Sequence, residues 1–146
     1  MAGIYTVDAS VFLNGFNPYE PGHEVSRRFL EHLRDKALPL IEPTLLLPEV
    51  AAAVSRGRED ADLARRFAAA LKRFPHLLLI PLDETLAQQA VELAADHRLR
   101  GSDAVYAAVA LRFGSTLVTL DREQRRRVAD VITACLPAEI VGDLSP

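Results

Sequence analysis

Five short apolar runs alternate with segments of helical period, and this alternation constrains the fold more than any other feature of the chain. The runs are Ile4 to Val7, Leu38 to Glu42, Leu77 to Leu82, Thr116 to Leu120 and Val131 to Cys135. Strands that take turns with helices form a mainly parallel central sheet flanked by helices on both faces. The expected architecture is therefore α/β, with residues 1–146 forming a single domain. That length suffices to bury a real core.

The helical segments can be placed from their periodicity and punctuation. Ser10 to Phe16 reads as a short helix, ended near Asn17-Pro18, and His23 to Lys36 as a longer one carrying Val25, Phe29 and Leu33 on one face. Pro43 closes the second strand, and Thr44 is the expected cap of a helix that runs past Glu49 to Arg56 and stops at Gly57. Asp60 to Phe74 places Leu63, Phe67, Ala70, Leu71 and Phe74 at helical spacing. The continuous apolar run at Leu77 to Leu82 suits a parallel strand covered on both faces. Asp83 caps the next helix. Gly101 then breaks the chain, and Ser102 is the expected cap of a helix from Asp103 to Phe113. That helix is apolar almost all round, so it should be central; Gly114 ends it. Arg122 to Val128 is a short helix, and Pro137 onward reads as a tail.

Composition excludes several function classes. Seventeen basic and twenty acidic residues leave a net charge of −3, so the chain is not a broadly basic nucleic-acid binder. Its cations are almost all arginine, Lys36 and Lys72 being the lysines. A lone Cys135 rules out an internal disulfide and a thiolate zinc site. His23, His32, His76 and His97 lack close metal-ligand spacing. The N-terminus has neither a basic nor an apolar signal region, and no apolar run reaches membrane-spanning length. The expectation is a cytoplasmic protein with no membrane association.

Carboxylates carry the functional signal. Asp8 and Asp121 stand at the C-terminal ends of expected parallel strands, where open α/β sheets bind ligands. If the two strands are neighbours, both acids open into one crevice. Asp103 starts the central helix, and Glu49 lies between Leu45-Leu46-Leu47 and the apolar stretch from Val50 to Val54. A carboxylate in such a frame needs a partner, and a bound cation is one. Each acid also has an ordinary reading: Asp121 as the head of a variant capping box, Asp103 as a first-turn acid, Asp8 as an acceptor in a turn, Glu49 as a solvent-facing side chain. Asp83 looks like Asp121 but is read as a plain cap. The four together, each in apolar surroundings, favour a shared site.

Four motifs, in order, carry a family resemblance: Thr6-Val7-Asp8-Ala9-Ser10, Pro48-Glu49-Val50-Ala51, Ser102-Asp103-Ala104-Val105-Tyr106 and Thr119-Leu120-Asp121. On them the chain resembles the PIN-domain ribonucleases, and within these the VapC-type toxins of toxin–antitoxin pairs. The resemblance implies that Asp8, Glu49, Asp103 and Asp121 form a catalytic magnesium or manganese site, with Ser10 as a supporting polar contact. It also implies an RNA substrate, a cognate antitoxin and a homodimer. One departure stands out: Gln124 and Arg125 occupy places where many relatives carry an aromatic residue soon after the last acid.

Oxygen-only ligands suit a hard cation such as Mg2+. The expected reaction is metal-dependent hydrolysis of an RNA phosphodiester by an activated water, with Asp121 holding a second ion or orienting the water. Basic residues should flank so acidic a pocket. Arg98 and Arg100 before Asp103, and Arg122, Arg125, Arg126 and Arg127 after Asp121, are the candidates for RNA contact, although any one of them could equally lie on a solvated face. An aspartyl-nucleophile phosphatase would want a second Asp where Ser10 stands and lacks a suitable downstream lysine; a phospho-accepting receiver domain fails similarly. The alternative of a different class is a catalytically silent PIN-like module that binds RNA or a partner protein.

Overall fold

Thr6 and Val7 are neighbours on one strand, so their side chains leave opposite faces of the sheet, yet both are fully buried. The same holds for Leu117 and Val118. Both faces of the sheet are therefore covered at these two central strands. These strands belong to a computed structural model that describes residues 3–142.

Five parallel strands make the sheet: β1 (Tyr5–Val7), β2 (Leu40–Pro43), β3 (Leu77–Ile80), β4 (Thr116–Val118) and β5 (Ala134–Cys135), in the order β3-β2-β1-β4-β5. The chain steps outward from β1 through β2 to β3, then returns to the other side of β1 for β4. The strand order reverses between β1 and β4, so the crevice at their carboxyl ends is the ligand position such a sheet provides. Tyr5 pairs with Thr116 and Val7 with Val118, which makes the two acid-bearing strands immediate neighbours.

The helices are α1 (Ala9–Phe16), α2 (His23–Asp35), α3 (Leu46–Arg58), α4 (Ala61–Lys72), α5 (Glu84–His97), α6 (Gly101–Phe113), α7 (Arg122–Val128) and α8 (Pro137–Val141). As its all-round apolarity predicts, α6 is central: Ala104 to Ala110 are all buried, and the helix packs on β1, β2 and β4. Gly114 ends it in the left-handed conformation, at φ 64°. Asp83 is the plain cap expected, its Oδ1 accepting from the Leu86 amide at 2.9 Å.

Several local expectations are corrected. Neither Thr44 nor Ser102 caps a helix through its side chain: α3 starts from Leu45 and α6 from Arg100, both without a side-chain cap. Gly101 opens α6 instead of breaking the chain, which places Asp103 in the first turn. Gly57 is passed by, and α3 runs to Arg58 with Glu59 in the left-handed conformation. β3 is an edge strand with Leu78 53% exposed, not a strand covered on both faces. Val131 and Ile132 close α7 by donating to the Val128 carbonyl, which shortens the last strand to two residues. The tail expected from Pro137 is helical to Val141, and residues 143–146 lie outside the described residues.

β1 and β2 pair only at Tyr5 and Leu40. Tyr5 donates to the Pro39 carbonyl, so in parallel register the β2 amide due to face β1 beyond Ile41 is that of Pro43, which has none. The ladder therefore stops at Tyr5, three residues before Asp8. Glu42 fills the opening: its Oε2 accepts the Val7 amide at 2.6 Å.

Candidate active site

Asp8 leaves β1 at the sheet's carboxyl edge and becomes the N-cap of α1. Its Oδ2 accepts the Ser10 amide at 3.3 Å and the Thr119 hydroxyl at 3.0 Å. The Thr119 oxygen in turn accepts the Asp121 amide at 3.1 Å. One buried hydroxyl thus joins the first and last acids across the β1–β4 boundary. Ser10 supports the same junction, its Oγ accepting the Leu120 amide at 3.3 Å.

Asp121 caps α7, with Oδ1 accepting the Gln124 amide at 3.1 Å. Its Oδ2 receives Arg100 Nη2 at 2.8 Å, while Arg100 Nε donates to Asp103 Oδ2 at 3.1 Å. The Arg100 guanidinium therefore bridges the two acids. Glu49, in the first turn of α3, accepts the Tyr106 hydroxyl at 2.6 Å. Tyr106 lies one helical turn beyond Asp103 on α6 and is fully buried.

The acids feel one another. Burial raises the Glu49 carboxyl above its ordinary range, helped by the charges of Asp8 and Asp103 and opposed by bonds from Tyr106 and Ser102. Burial likewise raises Asp103, with Arg100 opposing and Asp8 and Asp121 adding to the rise. Glu42, behind Asp8, is pushed well above the ordinary range by complete burial; the Val7 amide opposes this and Asp8 adds to it. Burial also drives the Tyr106 hydroxyl upward, so it stays a donor.

Glu42, Thr119 and the Tyr106–Glu49 bond were not assigned roles from sequence. Glu42 carried a usable signal, a carboxylate ending an apolar run, which is the signal that picked out Asp8 and Asp121. A cleft of about 300 Å³ opens beside α6 and α7, lined by Leu99, Arg100, Asp103, Asp121, Gln124 and Arg127 among others. Asp8 and Glu49 do not line it. The other arginines are placed variously. Arg125 donates to the Thr119 carbonyl at 2.9 Å, Arg126 pairs with Glu123, Arg127 donates to the Arg98 carbonyl, and Arg122 is exposed.

The sequence profile of the PIN domain matches residues 5–130 of the chain. The chain belongs to the PIN-domain family. Solved structures agree on the fold. VapBC2 from Rickettsia felis, bound to a DNA fragment from its promoter, aligns with a TM-score of 0.69 at 18% identity, over 90% of this chain and 98% of that one. VapC20 of Mycobacterium tuberculosis, described as a Sarcin-Ricin loop cleaving toxin, gives 0.68 at 20% identity, over 84% and 93%. FitAcB from Neisseria gonorrhoeae gives 0.71 at 15% identity, over 92% and 98%. No match is found among curated proteins.

In this PIN domain the donor set is carboxylate oxygen throughout, which is the chemistry of a hard divalent ion. Burial and mutual repulsion raise Glu49 and Asp103, a strain that a cation relieves, and Arg100 already stands as a cation between two of the acids. On these grounds the residues fit a hard divalent cation. Among the described residues no three His, Cys, Asp or Glu side chains are grouped closely enough to hold one ion as they stand. Among the same residues, no helix is long and apolar enough to cross a membrane.

Proposed function

We propose that this PIN domain is a metal-dependent endoribonuclease, cleaving RNA phosphodiester bonds at a site made by Asp8, Glu49, Asp103 and Asp121, and that it is the toxin of a toxin–antitoxin pair. The observation that carries this reading is the meeting of acids at the crevice where the strand order reverses, Thr119 linking Asp8 to Asp121 and Arg100 linking Asp121 to Asp103. The description of VapC20 as a Sarcin-Ricin loop cleaving toxin, and a toxin–antitoxin complex from Klebsiella pneumoniae among the structural relatives, support it.

Bound Mg2+ or Mn2+ would lower the pKa of a water and neutralise charge on phosphate oxygens. Asp8, Glu49 and Asp103 would be its principal holders, with Asp121 holding a second ion or orienting the water. Thr119 keeps Asp8 and the start of α7 in register. Tyr106 favours the ionised form of Glu49, which is the form that grips a cation. Arg98, Arg100, Arg122, Arg125 and Arg126 are the candidate contacts for the RNA backbone.

An antitoxin would find an apolar groove between α1, α2 and α4, lined by Phe12, Phe16, Leu30, Phe67 and Phe74. A homodimer would draw on exposed apolar side chains such as Val91 on α5 and Leu111 on α6. An RNA target goes with a cytoplasmic location.

The test is cleavage of a mixed RNA pool by purified, partner-free protein with Mg2+, with Mn2+ and with chelator, beside Asp103→Asn. Metal-dependent cutting that the variant lacks is the expected result. A second reading, a silent PIN-like module binding RNA or protein, draws on the absence, among the described residues, of three acids grouped on one point. No cutting under any condition by a folded, metal-binding protein would favour it.

A further inference from the structure

Arg100 is the one cation hydrogen-bonded to any of the four acids among the described residues. Its position is specific at the level of atoms. Asp121 accepts the Gln124 amide on Oδ1, and Arg100 holds its other oxygen, Oδ2. On Asp103 the guanidinium likewise holds Oδ2. We propose that Arg100 is a built-in counter-ion that competes with a divalent cation for Asp103 and Asp121. This rests on the reading of the four acids as a metal site and adds to it an element of regulation.

Three physical points support competition over coexistence. Guanidinium stays protonated at all working pH values, so Arg100 cannot yield by losing its charge and must move. Its side chain is 76% exposed, and exposed ion pairs hold weakly, so an ion that pairs better with the carboxylates can displace it. A divalent ion placed beside a retained guanidinium would also meet direct like-charge repulsion. Arg100 lines the same cleft as Asp103 and Asp121. Once released it therefore remains near the site, free to meet an incoming phosphate. The acids are kept partnered when no ion is bound, and the same positive charge passes to the substrate side when one is.

The experiment measures Mn2+ binding calorimetrically to chelator-treated protein: wild type, Arg100→Ala, and Arg126→Ala as a control that removes an equal charge paired with Glu123 instead. Arg100→Ala should bind Mn2+ roughly threefold to tenfold more tightly, as expected for loss of two exposed ion pairs. Arg126→Ala should stay within about twofold of wild type, since an exposed charge at a distance is screened. In wild type, the Arg100 Nε–H resonance should shift on addition of diamagnetic Mg2+. Arg100→Ala binding no tighter than wild type, or an equal gain in both variants, would overturn the proposal and leave the metal site standing. Failure of wild type and Arg100→Ala alike to bind Mn2+ would remove the metal site itself, and the proposal with it. Arg100→Gln, which keeps a polar side chain, repeats the comparison should the alanine variant fold poorly.

Discussion

Thr119 donates its hydroxyl hydrogen to Asp8 Oδ2 across 111 residues of chain, and the same oxygen accepts the amide of Asp121. The side chain is fully buried, so water cannot replace either bond. Thr119→Val keeps the shape and removes both. Leaving a buried donor or acceptor unmet costs about 1–3 kcal/mol, to be read by urea denaturation. Loss of such supporting bonds to a metal-binding side chain typically lowers activity roughly 10- to 100-fold, so cleavage should fall by that order with the fold retained. Undiminished cutting would mean that Asp8 needs no such support.

Glu42 gives the chain a pH signature. Its folded-state pKa lies well above its unfolded value, so the folded state binds its proton more tightly. The stability this confers is fully present below the ordinary carboxylate range and is lost as pH rises from there through the folded value. Glu42→Gln keeps an acceptor for the Val7 amide and cannot ionise. Its stability relative to wild type should climb with pH across that window, by at most about 1.4 kcal/mol per pH unit. Denaturation curves at a series of pH values would show this; a constant difference would indicate that Glu42 titrates normally.

Tyr106→Phe removes the bond that opposes the rise of the Glu49 carboxyl. Glu49 should then ionise at higher pH, and the acidic limb of the cleavage rate should move toward alkaline values. Metal saturation should restore much of the rate, because a cation favours the ionised form as the hydroxyl does. A profile identical to wild type would separate Glu49 from the rate.

Arg122→Glu with Arg126→Glu tests the flanking cations. For every phosphate that the variant no longer neutralises, the slope of log affinity against log salt should become shallower by about 0.7 for single-stranded RNA. Binding, measured by fluorescence anisotropy with chelator present, should weaken and become less salt-sensitive. An unchanged slope would place both arginines on a solvated face.

The acids at strand ends were legible because the signal is local: an apolar run, a carboxylate, then a helix start. Their meeting depended on β1 and β4 being neighbours, an explicit condition that the register meets. Thr119 was missed because it acts on a partner distant in sequence, which no local pattern announces, whereas Glu42 shows the strand-end signal but reads only as the end of the second strand. Thr44 and Ser102 misled because a capping residue near a helix start has the right chemistry in the wrong frame. In α6 the seven-residue buried run from Ala104 sets where the helix lies, and tertiary packing overrides the cap preference of Ser102. From sequence Arg100 is a candidate for substrate contact; its bridge to Asp103 and Asp121 shows that a cation beside an acidic site can first serve the acids.

The order of strands also grades the site mechanically. Asp8 leaves the innermost strand, which has two strands on either side of it. Asp121 instead heads a seven-residue helix that leads to a two-residue strand at the margin of the sheet. One wall of the crevice thus rises from the middle of the sheet and the other from close to its margin. Local opening begins at sheet margins, so under the proposed nuclease reading it would reach Asp121 before it reached Asp8.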